Sequence, residues 1–343
     1  MARLAVVVMN LGGPDSAAAV EPFLFNLFSD AAIIALPNPL RWLIAKLISS
    51  RRAPLAQQIY AKIGNASPLL PNTEAQARSL EAALGGDTRC FIAMRYWHPF
   101  AAAAARAVKQ WGADEIVLLP LYPQFSSTTT ASSLADWDRA AKRAGITAPT
   151  YAMCCAPDEQ GFIAALMNNI EKALATWPSD KGTPRLLLSA HGLPKRTVAR
   201  GDPYQSQVEM TAAALRQALA RPELDITICY QSRVGPLEWL GPATDAEIRR
   251  AGGEKRGLIV APIAFVSEHS ETLVELDIEY RHLAEQSGVP HYVRVSTVAT
   301  APSYIAGLAK LVRDTLAGSR AIRPDGGTRR CASSLTLCPC AAT

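Results

Sequence analysis

Eight short apolar runs, each separated from the next by stretches with helical periodicity, limit what this chain can fold into. They occupy residues 4–9, 90–96, 115–119, 150–154, 185–189, 225–229, 258–266 and 291–295. Strands alternating with helices in this way predict an α/β fold with parallel sheets. Eight strands over 343 residues divide naturally into two four-stranded units, with a boundary near residues 145–150. The predicted domains are 1–147 and 148–300. No short fixed period recurs, which excludes a solenoid.

The run at 258–266 leads directly into chemistry. It reads LIVAPIAFV, a buried strand, and is followed by SEHSETLVELDIEY. Ser267 is a suitable N-cap for the helix that follows. Glu271, Glu275 and Glu279 then stand at i, i+4 and i+8, three carboxylates on one helical face that drifts by about 40° per step. Leu273, Leu276 and Tyr280 lie on other faces and could anchor the helix in a core. Like charges at this spacing cost a few tenths of a kcal/mol per pair. Such a face is either simply solvated or a row of carboxylates that carries protons or a divalent cation. Glu268 and His269 just before it add weight to the second reading. Its start at the C-terminal end of a strand is where open parallel sheets place ligands.

Charge excludes one function class. The net charge is +5 and dispersed, with no Lys/Arg run and no basic–aromatic interleaving, so nucleic acid is not an expected partner. The opening MARLAVVVMNLGGP breaks at Gly12-Gly13-Pro14 and reads as a first strand and turn, not as an export signal. No apolar run reaches the 18 or so residues needed to span a bilayer. Seven cysteines, an odd number, without an export signal predict a reducing cytoplasm.

Several loops after strands carry candidate ligand groups. Asn10-Leu11-Gly12-Gly13-Pro14 allows close backbone approach but lacks a dinucleotide fingerprint. Residues 31–73 contain no Asp or Glu but do contain Arg41, Lys46, Arg51, Arg52 and Lys62. Within them 40–48 is amphipathic and basic: either a helix packed on the core or a lip that touches lipid and guides an anionic, amphipathic ligand. Arg95 could hold a carboxylate, with Tyr96 and Trp97 able to stack on a flat ring. Residues 120–130 form a hydroxyl-rich loop. His191 emerges at the end of a strand, before Gly192 and Pro194. A polar loop from Tyr230 to Leu240 includes Trp239. Taken singly, each of these is as readily structural.

Cys331, Cys338 and Cys340 crowd the last thirteen residues. Three thiolates need a fourth ligand, which Cys154 or Cys155 could supply; soft thiolates select zinc or iron–sulfur. The alternative is an unstructured tail with incidental cysteines.

Taken in order, NLGGP at 10–14, MRYWHP at 94–99, YPQFSSTT at 122–129, SAHGLP at 189–194, RGDPY at 200–204, YQSRVGPLEWLGP at 230–242 and PIAFVSEHSETLVELDIEY at 262–280 resemble ferrochelatase over nearly the whole chain. The resemblance implies two Rossmann-like, chelatase-type domains, each a four-stranded parallel sheet flanked by helices, with a C-terminal helix at about 302–320 returning to the first domain and a cysteine-bearing tail at 321–343. It implies insertion of Fe(II) into protoporphyrin IX in a cleft between the domains, with coproporphyrin III or non-catalytic porphyrin or haem binding as the alternatives. His191 would accept a pyrrole proton or hold the incoming iron, opposite Glu271. Glu275 and Glu279 would continue an acidic relay. Leu11, Arg52, Arg95, Tyr96 and Trp239 match porphyrin-contacting positions. The tail resembles that of the cluster-binding branch, so a 2Fe-2S cluster is expected on Cys331, Cys338, Cys340 and Cys155, with Cys154 as the alternative fourth ligand. A cytoplasmic location, as a monomer or homodimer, is expected, and the lip alternative at 40–48 would put the protein in peripheral contact with the inner membrane.

Overall fold

A computed structural model describes residues 2–233, 235–318 and 321–340 of the chain. They form two compact units. The first comprises Met1–Cys155 and Leu308–Arg329, the second Ala156–Gly307 and Arg330–Thr343. The strands are β1 (Leu4–Asn10), β2 (Thr88–Met94), β3 (Glu115–Pro120), β4 (Thr150–Met153), β5 (Arg185–His191), β6 (Asp225–Gln231), β7 (Leu258–Pro262), β8 (Tyr292–Arg294) and β9 (Ile322–Arg323).

In the first unit the sheet order is β2-β1-β3-β4-β9, all parallel. Val6, Val7 and Val8 of the interior strand β1 are buried, as expected for a sheet covered on both faces. On one face Val7 and Met9 pack with Phe91, Ala104 and Trp137, and each fully buried side chain of this size contributes about 1.5–3 kcal/mol. Sequence periodicity predicts four strands here; the fifth is β9, from the segment read as tail. Two residues are too short to show a period. Their place is fixed by backbone bonds: Ala152 N–H donates to Ala321 O and Cys154 N–H to Arg323 O. The division between units accordingly falls after Cys155 instead of at 147, because β4 belongs to the first sheet. The last helix is Pro302–Leu316. Ser319 and Arg320, to which it was expected to extend, and residues 341–343 of the tail lie outside the described residues.

The second unit has sheet order β6-β5-β7-β8, also parallel. Each unit thus places its first strand between its second and third, the doubly wound order whose reversal point lies beside the first strand. In the first unit that point is flanked by the Asn10–Pro14 turn and the loop after Pro120. In the second it lies between β5, which ends in His191, and β7.

The long helix Asn38–Ala61 inverts the usual amphipathic pattern. Small residues, Ala45, Ser49 and Ala53, face inward. Leu40, Trp42 (55%), Leu43 (59%), Leu47 and Leu55 are exposed. The helix packs on its unit through Ala53 and Tyr60 beside Val20 and Phe23, the first of the two sequence alternatives, and presents its large apolar side chains to the outside.

Beyond β7 the structure departs from expectation. The strand ends at Pro262, and the following helix starts at Glu271 with Ser270, not Ser267, at its N-cap. The helix is not α. Glu271–Glu279 is a π-helix, and Tyr280 N–H donates to Glu275 O, five residues back. An α-helix, Tyr280–Ser287, continues it. Runs of i→i+5 bonding are rare and collect at functional sites. Leu276, fully buried among Leu187, Leu258 and Val260, anchors it in the core.

Candidate active site

The second unit brings together His191, Glu271 and Glu275. His191 is the last residue of β5 and pairs in register with Gln231 of β6. Its main-chain oxygen accepts from the Tyr204 hydroxyl at 3.1 Å, which fixes the ring's root. The next residue must be glycine for packing reasons: a Cβ on Gly192 would stand 2.7 Å from Gln231 O and 3.3 Å from the Trp239 ring. Trp239 is half-buried and its strand-like bridge to Pro194 holds it beside this turn.

The His191 Nδ1–H donates to Glu271 Oε2 at 2.8 Å. Burial pushes the imidazole towards its neutral form, but the Glu271 charge, its hydrogen bond and the Glu275 charge outweigh that and raise the pKa above 6.5. Burial likewise raises Glu271, yet His191, His269 and the Ser232 hydroxyl bring it down to about 2. Both shifts favour the imidazolium–carboxylate form of the pair over the neutral one. Glu275 moves the other way, raised by burial and by the Glu271 charge. Two carboxylates one helical turn apart thus differ in proton affinity, the arrangement by which a proton can be taken by one and passed to the other.

Ser232 joins them. Its N–H donates to Glu275 Oε1 at 2.8 Å, and its hydroxyl bonds Glu275 Oε2 and lies 3.2 Å from Glu271 Oε2. With one hydrogen to give, that hydroxyl serves one carboxylate at a time. The residue sits at φ 60°, a left-handed conformation that a serine adopts at some cost and that is held by its surroundings at functional sites. Gln231 Nε2–H donates to Glu275 at 3.2 Å, its amide turned that way because its own oxygen accepts from Ser189. The Tyr280 hydroxyl completes the cradle at 3.0 Å.

Glu279, the third carboxylate of the expected ladder, is exposed. In a π-helix the i, i+4 residues do not drift as in an α-helix, so extrapolating an α-helical face from Glu271 does not locate it. Ser232, Gln231 and His269 were not singled out as site residues by sequence. Ser232 carries no signal of its own, since a serine after a strand is unremarkable. His269 does, since it directly neighbours the ladder; it is buried, lies 4.0 Å from Glu271 and packs against Phe265 with ring centroids 4.6 Å apart and planes tilted by 53°. Burial depresses its pKa despite the Glu271 charge, the opposite direction to His191.

The candidate porphyrin-contacting residues of the first unit are placed differently from one another. Leu11 is half-buried in the Asn10–Pro14 turn, where Gly12 has φ +84° and a Cβ would meet Trp97 N at 2.9 Å. Arg52 is exposed on the long helix, 5.7 Å over the Phe28 ring. Arg95 and Tyr96 depart from the expected role. The Arg95 guanidinium pairs with Asp30 at 2.8 Å and donates to Ser132 at 2.7 Å. Tyr96 is fully buried and donates to the same Asp30. As placed, Tyr96 offers no face to a planar ligand and Arg95 is neutralised. A buried carboxylate, invisible as a partner in sequence because it lies 65 residues away, has claimed both.

Comparison with known proteins follows the same lines. The family model described as Ferrochelatase matches residues 3–316. A ferrochelatase of Caulobacter vibrioides is 52% identical over 98% of this chain and 97% of its own length. One from Phenylobacterium zucineum is 55% identical over 90% of each, and one from Hyphomonas neptunium 49% over 98% and 94%. Among solved structures, "SirB from Bacillus subtilis with Fe3+" superposes with a TM-score of 0.53 at 12% identity, covering 93% of this chain and 97% of that one; at that identity the likeness shows the fold alone.

Proposed function

The chain belongs to the ferrochelatase family and is a metal chelatase, a lyase by class, that places ferrous iron in a porphyrin; from that premise we propose that protoporphyrin IX is the macrocycle and that His191, Glu271 and Glu275 remove its protons. Insertion forms four iron–nitrogen bonds and releases two pyrrole protons, so the site must accept protons without presenting a strong competing ligand. The observation that carries the reading is the continuous set His191–Glu271–Ser232–Glu275. The imidazole Nε2, unused by Glu271, takes a pyrrole proton or holds the incoming iron, and the proton passes to Glu271 and, across the Ser232 hydroxyl, to the more basic Glu275. Trp239, beside His191, provides a flat apolar wall; Leu11 and Arg52 are further candidates for porphyrin contact, and Glu279 is the exposed end of the acidic row.

The choice of macrocycle rests on the long helix. Its exposed leucines and Trp42 suit a substrate with one apolar edge better than coproporphyrin III, whose four propionates would call for more cations. Purified protein given Fe(II) should form metalloporphyrin faster with protoporphyrin IX than with coproporphyrin III, followed by absorbance. Turnover with neither would sink the activity, and preference for coproporphyrin would overturn the substrate. Binding of porphyrin with no turnover would instead make the chain a porphyrin carrier.

The same helix supports peripheral contact with the inner face of a cytoplasmic membrane by a monomer or homodimer. No helix among the described residues is long and apolar enough to cross one. The protein should co-sediment with vesicles containing anionic lipid, and Trp42→Ser/Leu43→Ser should release it at an unchanged melting temperature. Equal sedimentation of the double variant would refute the contact.

For the tail, we propose a 2Fe-2S cluster on Cys331, Cys338 and Cys340 with Cys155, or else Cys154, as fourth ligand. What supports it is donor chemistry: Cys338 and Cys340 are buried in a segment with little apolar reason to be. The placement is not that of a closed ligand set, since among the described residues no three His, Cys, Asp or Glu side chains are grouped to hold a metal, and no step of the reaction is routed through a cluster. Cys338→Ser should abolish the visible absorption of the purified protein. Zinc in place of iron and sulfide would refute the cluster.

A further inference from the structure

The helix that delivers Glu271 and Glu275 to their partners has π geometry, which is rare in proteins and concentrated at functional sites. One side chain grips the segment on both sides of the site. Arg294, the last residue of β8, is buried to 9% side-chain exposure. Its NH1 donates to Glu268 Oε1 at 2.7 Å. Its Nε and NH2 both donate to Asp277 Oδ2, at 2.9 and 2.6 Å. Glu268 lies three residues before Glu271, and Asp277 two residues after Glu275. Everything the site needs from this stretch, including His269, is therefore strung between two carboxylates held by a single guanidinium.

Other contacts converge on the same strand. Glu268 Oε1 also accepts from Thr297 N–H at 3.0 Å. The Tyr292 hydroxyl, two residues before Arg294, donates to Leu276 O at 2.7 Å. Arg281 reaches from the helix to Tyr292 O at 3.0 Å and stands 3.5 Å from Asp277. β8 is the edge strand of its sheet and pairs with β7 at Val260, so the grip ties the π-helix to the strand from which the chain arrived. Arg294 touches neither His191 nor the catalytic carboxylates.

We propose that Arg294 is a positioning residue for metal insertion: by bridging Glu268 and Asp277 it holds the π-helical register that delivers Glu271 to His191 and Glu275 to Ser232. A planar fork is required, because it must satisfy two carboxylates in fixed directions at once; an ammonium keeps the charge but not the geometry. The proposal rests on the chelatase reading of the site.

The test compares wild type with Arg294→Lys and, should that variant fail to fold, with Asp277→Asn, which keeps the shape and one acceptor oxygen. Melting temperature, porphyrin KM and kcat at saturating Fe(II) are measured on each folded protein. The expected result is kcat reduced about 10- to 100-fold, the usual cost of removing an outer support of a metal-handling site, with porphyrin KM within about twofold of wild type. Hydrogen exchange at amides 271–279 should rise in the same variants. A kcat that falls only in proportion to the folded fraction, or a change confined to KM, overturns the proposal. If wild type itself makes no metalloporphyrin, it is the activity that fails, not the grip.

Discussion

His191→Ala is expected to lower kcat/KM for iron insertion by about 10³-fold, within the 10²–10⁴ range of a positioned proton-transfer group, while porphyrin still binds with near wild-type affinity. The substitution is mild for the fold. The residue closes β5, its main-chain partners in β6 remain, and the Tyr204 hydroxyl donates to a main-chain oxygen that alanine retains. The ring is 42% exposed, so its removal leaves no sealed cavity. What disappears is the Nε2 that faces away from Glu271. Stopped-flow absorbance gives turnover, and quenching of porphyrin or of tryptophan fluorescence gives binding. Turnover within about threefold of wild type would remove His191 from the chemistry. The iron dependence separates its two roles: a loss that persists at saturating iron marks proton removal, whereas a loss recovered by more iron marks metal delivery.

The sheet architecture was legible because buried parallel strands are dense in Val, Ile and Leu and need no alternation to be recognised; LAVVVM, LLLSAH and LIVAP all fall inside strands. β9 was not, since two residues joined to β4 by main-chain bonds leave no pattern. His191 and Glu271 could be named from their position after strands together with the resemblance of their motifs. Their mutual geometry could not, because 80 residues separate them. The π-helix escaped for a different reason. A period inferred from carboxylates at i, i+4 assumes α geometry, while the actual register is imposed by Leu276 in the core and by Arg294 from another strand. Arg95 and Tyr96 show the converse: residues of suitable chemistry in a suitable loop, already satisfied by Asp30. Ser232 was hidden because its importance lies in a backbone angle and a main-chain N–H, neither of which is written in residue identity.

Glu271→Gln should abolish most activity and, more tellingly, move what remains along the pH axis. In the wild type, burial alone would hold the His191 pKa below 6.5, but the Glu271 charge raises it above that value. The free-base imidazole therefore accumulates only as pH climbs past 6.5, and kcat/KM should rise along that limb. Glutamine keeps the shape and an acceptor oxygen but not the charge. Only Glu275 then opposes burial, so the imidazole pKa falls and the limb shifts to lower pH. The fractional loss, about 10²–10³-fold by analogy with removal of a charge-stabilising partner, should accordingly be greatest at high pH and least below 6.5. Stability must follow the same linkage. Glu271, held at about 2 against an ordinary 4.5, contributes stability above 4.5 that is lost as pH falls towards 2. His191, raised above 6.5, contributes stability below 6.5 that is lost as pH rises through its elevated pKa. The two windows overlap between about 4.5 and 6.5, where the difference in Tm between wild type and Glu271→Gln should be largest. A variant whose activity limb stays in place, or whose Tm deficit is uniform from acid to alkaline pH, would show that the His191–Glu271 contact is geometric only and that its charge does not govern the proton.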